Sequence, residues 1–373
     1  MPRQGKNIYR RKDGRWEGRY SKGKSDGKYR YGSVFGKTYD EVEQKLDALK
    51  SKNSNISAIS EVLFEDIALE WLSVQQPELK ASSYAKYRNL LKSYMIPEFG
   101  RLPIQSITRG EVSKFSRKML IEGGIKGKGL SSKTVNSILS VLKNILDYTS
   151  REKEISVVDI ADISVRQQQK PMRILSRTEQ EILSRYLCED PTSCNLGILL
   201  SLYTGLRIGE ICALKWEDIF IEEQYIFVHK SMQRIQTNEK SDRKTEIVIQ
   251  SPKSDCSVRR IPIPYEVLQL LIPAKKQNEA FLLTGMAYSY IEPRCMENQF
   301  KSVMKTCGIQ NVNFHALRHT FATRCVELGF DIKSLSEILG HASVNITLNR
   351  YVHPSMELKQ ENMNLLSSIL TTN

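Results

Sequence analysis

The 373-residue chain is 40% hydrophobic and 26% charged, which fits an ordinary soluble protein of two or three domains rather than one. A formal net charge of +13 and a pI near 9.3 point to a polyanionic partner. No apolar run approaches bilayer length, the charged N-terminus lacks a secretory apolar region, and the seven cysteines show no C-x-x-C or C-x-x-H spacing. The expectation is a cytoplasmic protein with reduced thiols, no membrane contact, no disulfide framework and no zinc site.

The charge is unevenly spread. Residues 1–39 hold twelve Lys or Arg against three Asp or Glu, a net +9. Within them Ile8, Tyr9, Trp16, Tyr20, Tyr29, Tyr31, Val34 and Phe35 alternate with polar residues. Asp13-Gly14 and Ser25-Asp26-Gly27 supply hairpin turns. A helix over about Tyr39–Lys50 follows, with Val42, Leu46 and Leu49 on one stripe. The pattern predicts a small three-stranded sheet with one helix on it, spanning residues 1–52. Arg10, Arg11, Lys12, Arg15, Arg19 and Arg30 have few acids among them, so they read as a nucleic-acid footprint rather than a merely solvated face.

The polar stretch Ser51–Ser60 is expected to be a linker. A helical module over residues 61–163 comes next. Phe64, Ile67, Ala68 and Trp71 mark its first helix, and Ser82–Ile96 a basic, aromatic second one that Pro97–Gly100 should break. Thr108 can cap a third helix, and Ser131 or Ser132 starts a long fourth one with Val135, Ile138, Leu139, Leu142, Ile145 and Leu146 at helical spacing. By pattern alone this is a four-helix bundle. Ser82, Ser83, Lys86, Lys133 and Asn136 are candidate phosphate contacts, although solvated helix faces explain each of them equally well. Ser164–Arg173 is a second basic linker.

A final domain runs over residues 174–373. Ser176 and Glu179 form a capping box. The apolar helix Leu196–Tyr203 stops at Thr204-Gly205, and a new one starts near Leu206. Arg207 then sits at a helix N-terminus, where backbone N–H groups and a guanidinium suit a phosphate oxygen. Alone, Arg207 would read as a surface partner of Glu210. Tyr225–Lys230, Thr245–Gln250 and Val258–Pro262 are expected to form one three-stranded antiparallel sheet, with Lys253 on the turn between its second and third strands. Lys253 alone is one of 55 basic residues.

The stretch Asn313–His353 concentrates the chemistry. His315 and Arg318 share a helix face, beside a burial stripe of Leu317, Phe321, Cys325 and Leu328. Gly329 should stop this helix and Asp331 cap a short one that ends at Gly340. His341 would then turn outward, and Ser343 cap a third helix carrying Tyr351. Two imidazoles, a guanidinium and a phenol would converge, a set suited to attack of the phenol on a phosphodiester among stabilising cations.

In order, Thr-Gly-Leu-Arg207, a turn lysine, His315-x-x-Arg318, Leu-Gly-His341 and Tyr351 resemble the signature of the tyrosine recombinase (phage integrase) family. The resemblance implies a multidomain fold. Its parts would be an arm-type DNA-binding domain of three strands and a helix, an α-helical core-binding bundle, and a mixed, mainly α catalytic domain with a small antiparallel sheet. It further implies that Tyr351 attacks a DNA phosphodiester to leave a 3′-phosphotyrosyl link and a 5′-hydroxyl. Arg207 and Arg318 would neutralise the phosphate, His341 bond it, and Lys253 protonate the leaving oxygen, the neighbouring arginines lowering its usual pKa of about 10. His315 is left open as base or phosphate ligand.

No nucleotide-binding loop or acidic metal cluster is evident, so no cofactor, metal or ATP is expected. The implied partners are double-stranded DNA at arm and core sites and further copies of the chain, as a tetramer on DNA in the bacterial nucleoid. A directionality factor or host DNA-bending protein is allowed for. The apolar tail Met356–Leu370 would dock in cis or on a neighbouring protomer. A type IB topoisomerase and a non-catalytic DNA-binding regulator on the same fold are the alternatives to an integrase of a mobile element.

Overall fold

A three-stranded antiparallel sheet opens the chain, formed in order by β1 (Ile8–Arg10), β2 (Trp16–Ser25) and β3 (Lys28–Gly36). The computed structural model describes residues 7–25, 28–59, 62–124, 127–167, 172–237, 245–252, 255–352, 359–360 and 363–364, without the side chains of 21–30, 50–59 and 255. Helix α1 (Tyr39–Ile59) packs on the sheet through buried Val42 and Leu46. Gly18 is the contact point. A Cβ there would lie 2.6 Å from a Leu46 methyl, so only hydrogen fits beneath the helix. The expected linker from Ser51 is instead helical to Ile59. No Gly or Pro interrupts this segment, and Ser and Asn each weaken a helix by about 0.7 kcal/mol at most.

The chain divides into two units, Met1–Leu79 with Ser83–Gln168, and Lys80–Ser82 with Gln169–Asn373. In the first, a separate apolar core begins at Phe64 and does not include Val42 or Leu46. It is built by α2 (Phe64–Gln75), α3 (Ala81–Leu90), α4 (Ile96–Phe99), α5 (Arg109–Glu122) and α6 (Ser132–Glu152). Phe99 sits at its centre, its ring 5.8 Å from Phe64 and 4.9 Å from Phe115. Pro97 does not break the chain's helical course. A π-helical turn, Leu91–Met95, precedes it, and the wider turn accommodates the missing N–H and the bulky ring. Thr108 and Glu111 close a capping box at α5, and Ser131 caps α6.

The second unit is arranged around α8 (Ser193–Thr204), which is apolar all round and buried at Leu196, Ile198, Leu199, Leu200 and Leu202. Against it pack α7 (Arg177–Glu189), α9 (Ile208–Ala213), α10 (Tyr265–Leu271), α11 (Pro293–Thr306) and α12 (His315–Glu327). The strands differ from expectation. β4 (Ile219–Phe220), β5 (Tyr225–Val228) and β8 (Arg259–Pro262) form one antiparallel sheet, whereas β6 (Ser231–Gln236) and β7 (Thr245–Gln250) form a separate hairpin. Thr245–Gln250 therefore pairs with Ser231–Gln236, a polar strand anchored by buried Met232, rather than with β5 and β8. Helices α13 (Ile332–Leu339) and α14 (Val344–Tyr351) share a small core with α12 made of Ala322, Cys325, Leu335, Leu339 and Tyr351. Leu328 leaves the expected burial stripe because α12 ends one residue earlier, and its side chain is 76% exposed.

None of the seven cysteines forms a disulfide. Among the described residues no helix is long and apolar enough to cross a membrane, and no three His, Cys, Asp or Glu gather as a metal ion would require.

Candidate active site

Two glycine turns bring the site together. Gly205 ends α8 with φ +68° and Gly340 ends α13 with φ +64°, backbone conformations that glycine adopts without strain. A Cβ at Gly205 would meet Phe321 at 2.7 Å and Leu339 at 3.0 Å, so the turn before Arg207 lies directly on α12 and α13. Arg318, on α12 and 2% exposed, donates to the carbonyls of both turns: Nη1 to Gly205 O at 2.9 Å and Nη2 to Leu339 O at 2.6 Å. Among the described residues it forms no ion pair with a carboxylate. Burial, then the nearby Arg207, lowers its pKa to about 9. A buried guanidinium held by carbonyls alone is a poised anion receptor.

Arg207 is the N-cap of the six-residue α9. Glu210 accepts the Arg207 backbone N–H at 2.9 Å and its Nη1 at 2.7 Å, so the acid three residues on holds the arginine in place at the helix N-terminus. What Arg207 offers a phosphate is the rest of its guanidinium, which also reaches Gly340 O at 3.4 Å. Glu210 in turn takes both terminal nitrogens of Arg259, at 3.1 and 2.9 Å. Burial pushes the Glu210 carboxyl up, but Arg259 and Arg207 outweigh it and hold it at about 2.

The rings form a chain. His315 meets His319 edge-on at 4.4 Å, His319 Nδ1 lies 2.9 Å from the Tyr351 hydroxyl, and the His341 ring lies parallel to that of Tyr351 with centroids 6.3 Å apart. His341 Nδ1 is tied to the buried Thr347 hydroxyl at 2.8 Å, which fixes the ring and leaves Nε2 for a ligand. Desolvation and the surrounding cations, chiefly Arg318, Arg207 and Arg350, push His315 and His341 to about 4. Desolvation, then His315 and Arg350, pushes His319 to about 3. His315 is lowered although its residue surface is open to solvent. All three are neutral at physiological pH. Burial raises the Tyr351 phenol above its usual pKa, while Arg318 and Arg350 pull the other way.

The structure thus gathers Arg207, His315, Arg318, His341 and Tyr351. Lys253 lies outside the described residues, between β7 and β8. His319, Thr347, Arg259 and Arg350 were not singled out by sequence as site residues. The i, i+4 spacing of His315 and His319 was the available signal for the first, and strand alternation on β8 for Arg259.

Of the DNA-contact candidates, Arg10, Arg11, Lys12, Arg15 and Arg19 are exposed on the N-terminal sheet or its first turn, and the side chain of Arg30 lies outside the described residues. Tyr9, Glu17 and Phe35 are register partners across the strands. Arg11 and Arg19 pair with Glu17 at 3.0 and 3.3 Å, and Arg19 stacks over Tyr9. Lys86 and Lys133 are exposed, and Ser82 and Ser83 half-buried. Asn136 is a correction. Its amide donates to Val165 O and accepts from Val165 N, both at 2.8 Å, so it is engaged in strapping the segment after α6. Arg173, expected on the basic linker, pairs instead with Glu179.

The family model described as "Phage integrase family" matches residues 172–357, and "Phage integrase, N-terminal SAM-like domain" matches residues 63–120. The chain belongs to the phage integrase family of tyrosine recombinases. It is 26% identical over 345 residues to the tyrosine recombinase XerC-like protein of Caldanaerobacter subterraneus subsp. tengcongensis, covering 86% of this chain and 87% of that protein. It is 27% identical to the ICEBs1 integrase of Bacillus subtilis, covering 83% and 84%. The fold is that of the Tn1549 transposon integrase solved with transposon right end DNA, with a TM-score of 0.65 at 23% identity over 81% of this chain and 99% of that one. It is also that of a lambda integrase dimer bound to a core site, with a TM-score of 0.60 at 15% identity over 94% and 97%. As a tyrosine recombinase the protein cleaves DNA strands and rejoins them.

Proposed function

We propose that this recombinase integrates and excises a mobile element through a 3′-phosphotyrosyl bond formed by Tyr351. The observation that carries this reading is Arg318, a buried guanidinium whose hydrogen-bond partners among the described residues are carbonyls, acting electrostatically on the phenol of Tyr351. A phosphate seated on Arg318 would supply the missing counter-charge and present its phosphorus to the phenol. The Tyr351 oxygen forms the new bond to phosphorus as the bond to the 5′-oxygen breaks, and Lys253 gives that oxygen its proton. Arg207 and Arg318 offset the charge that grows on the non-bridging oxygens. His341, oriented by Thr347, bonds the phosphate, and His315 lines the same space as phosphate ligand or base. The phosphodiester energy stays in the covalent link, so rejoining proceeds by the reverse steps.

The basic, aromatic face of the N-terminal sheet is proposed to bind arm-type duplex DNA, as a β-ribbon fits a major groove. The helical module, with Ser82, Ser83, Lys86 and Lys133, is proposed to hold the core site. Kinship with the ICEBs1 integrase and likeness to the Tn1549 transposon integrase favour a transposon-like element as the cargo. A tetramer on paired sites is proposed by analogy with lambda integrase, solved as a tetramer on a Holliday junction.

The test is covalent trapping on a nicked suicide duplex carrying the element's end. Wild type should give a protein–DNA adduct that Tyr351→Phe abolishes. No adduct from wild type on a cognate site would point to a DNA-binding regulator. An adduct without exchange between paired sites would point to a topoisomerase.

A further inference from the structure

We propose that His319, which is no part of the signature, is the positioning residue for the nucleophile: its Nδ1 accepts the phenolic hydrogen of Tyr351 and aims the oxygen at the phosphate. This rests on Tyr351 being the nucleophile. The bond is 2.9 Å long and joins α12 to the last residue of α14 across thirty-two residues of chain. Tyr351 is buried and His319 half-buried. Tyr351 is 5% exposed, and the His319 ring lies against the ring of His315 on its other side.

The direction of the bond follows from the groups around it. The guanidinium groups of Arg318 and Arg350 act on the phenol electrostatically, and a guanidinium only donates, so neither can accept its hydrogen. Among the described residues the His319 ring nitrogen is the group hydrogen-bonded to the phenol, so it takes the phenol's own hydrogen. Burial first, then the neighbouring His315, Arg350, Arg318 and His341, keeps this ring neutral and weakly basic. A nitrogen of such low basicity holds a phenolic hydrogen but is a poor reservoir for the proton itself. His319 therefore acts by geometry, and not as the base.

A phenol on a short helix has two rotatable side-chain bonds. Without an acceptor it would turn about them, and a small displacement of a reacting atom costs on the order of a hundredfold in rate. Asn places its amide oxygen near the position of Nδ1, whereas Gln reaches toward that of Nε2.

The test uses single-turnover cleavage of the nicked suicide duplex by the full chain, at saturating DNA, with duplex binding and thermal unfolding measured on the same samples. His319→Ala should slow adduct formation on the order of a hundredfold with duplex affinity unchanged. His319→Asn should restore most of the rate, with a pH profile shaped like that of wild type, and His319→Gln should not. Wild-type rates from His319→Ala would overturn the proposal. So would a folded, DNA-binding Asn variant as slow as Ala, since that would assign a proton-transfer role that Asn cannot fill. If Ala does not fold, the Asn and Gln variants decide, and equal rates from both would overturn it. Failure of the underlying reading is distinct, because wild type would then give no adduct at all.

Discussion

Arg259 and Glu210 form a two-pronged ion pair that is almost sealed from solvent, the arginine 7% and the glutamate 4% exposed. The pair does more than fill space. Arg259 Nε also donates to Ile338 O at 2.6 Å, at the end of the helix that leads to Gly340 and His341. Glu210 meanwhile holds Arg207. One guanidinium on β8 therefore ties together the segments that bear Arg207 and His341. Arg259→Ala leaves a buried carboxylate short of a partner and should cost about 3–5 kcal/mol of stability. It should also lower adduct yield in the survivors. Thermal unfolding and suicide-duplex trapping of the variant check both, and a variant as stable as wild type would show that water replaces the guanidinium.

The same pair sets an acid limit. The Glu210 carboxyl titrates at about 2 in the folded chain against 4.5 in the open chain. Its stabilisation is complete above pH 4.5 and is lost as the pH falls toward 2, because the unfolded chain then binds the extra proton. Glu210→Gln should remove that dependence, so the acid limb of its unfolding curve should be flatter than that of wild type.

The histidines give a second and milder pH window. His315, His319 and His341 would protonate near 6.5 unfolded but only near 4, 3 and 4 folded. Between those limits the unfolded chain holds more protons, so stability should be level above pH 6.5 and decline as the pH drops through 5. A bound phosphate reverses the local charge balance and raises all three values. Binding of duplex at pH 5.5 should therefore take up protons, and at pH 8 it should not. Calorimetric titration in two buffers of different ionisation enthalpy measures this, and the absence of uptake at pH 5.5 would place the phosphate away from the imidazoles.

Local signals in the sequence survived well. Ser176 with Glu179, Asp331, Ser343, Gly205 and Gly340 each stop or start a helix where the residue type requires it, because a cap acts within about four residues. What was illegible depends on partners far along the chain. The bond between His319 and Tyr351, and that between Arg259 and Glu210, join helices and strands whose approach no periodicity encodes. The pairing of β6 with β7 was missed for the same reason, since strand order is set by which apolar residue finds the core, here Met232. Asn136 shows the limit for polar residues. Its type fits a phosphate or a backbone equally, and only the course of Val165 decides.

Gly205 offers a test of the close approach on which the site depends. Alanine there meets two penalties, a positive φ and a contact of 2.7 Å with the Phe321 ring. The strain costs of order 1–3 kcal/mol. The larger effect should be on chemistry, because Gly205 O is one of the two carbonyls that hold Arg318. Gly205→Ala should thus lose more cleavage than its fall in melting temperature explains, when assayed well below that temperature. Full cleavage in a folded variant would show that Arg318 does not need that carbonyl.

The N-terminal sheet makes the last prediction, and it turns on an acid within a basic face. Ser33, whose hydroxyl is 2.7 Å away, leads the contacts that hold the Glu17 carboxyl at about 2, so it stays ionised. Its position between Arg11 and Arg19 admits two outcomes. If it only opposed DNA, Glu17→Gln would bind arm duplex more tightly, as any lost negative charge should. If it aims the two guanidinium groups, the same change should weaken binding despite the gain in net positive charge. The pairing distances of 3.0 and 3.3 Å, and the stacking of Arg19 on Tyr9 at 5.4 Å, favour the second. Fluorescence anisotropy over a salt series separates charge from aim. Arg19→Ala should lower the slope of log affinity against log salt by about 1, the loss of one phosphate contact. Glu17→Gln should weaken binding at every salt concentration, and tighter binding by that variant would leave the carboxylate without a role in recognition.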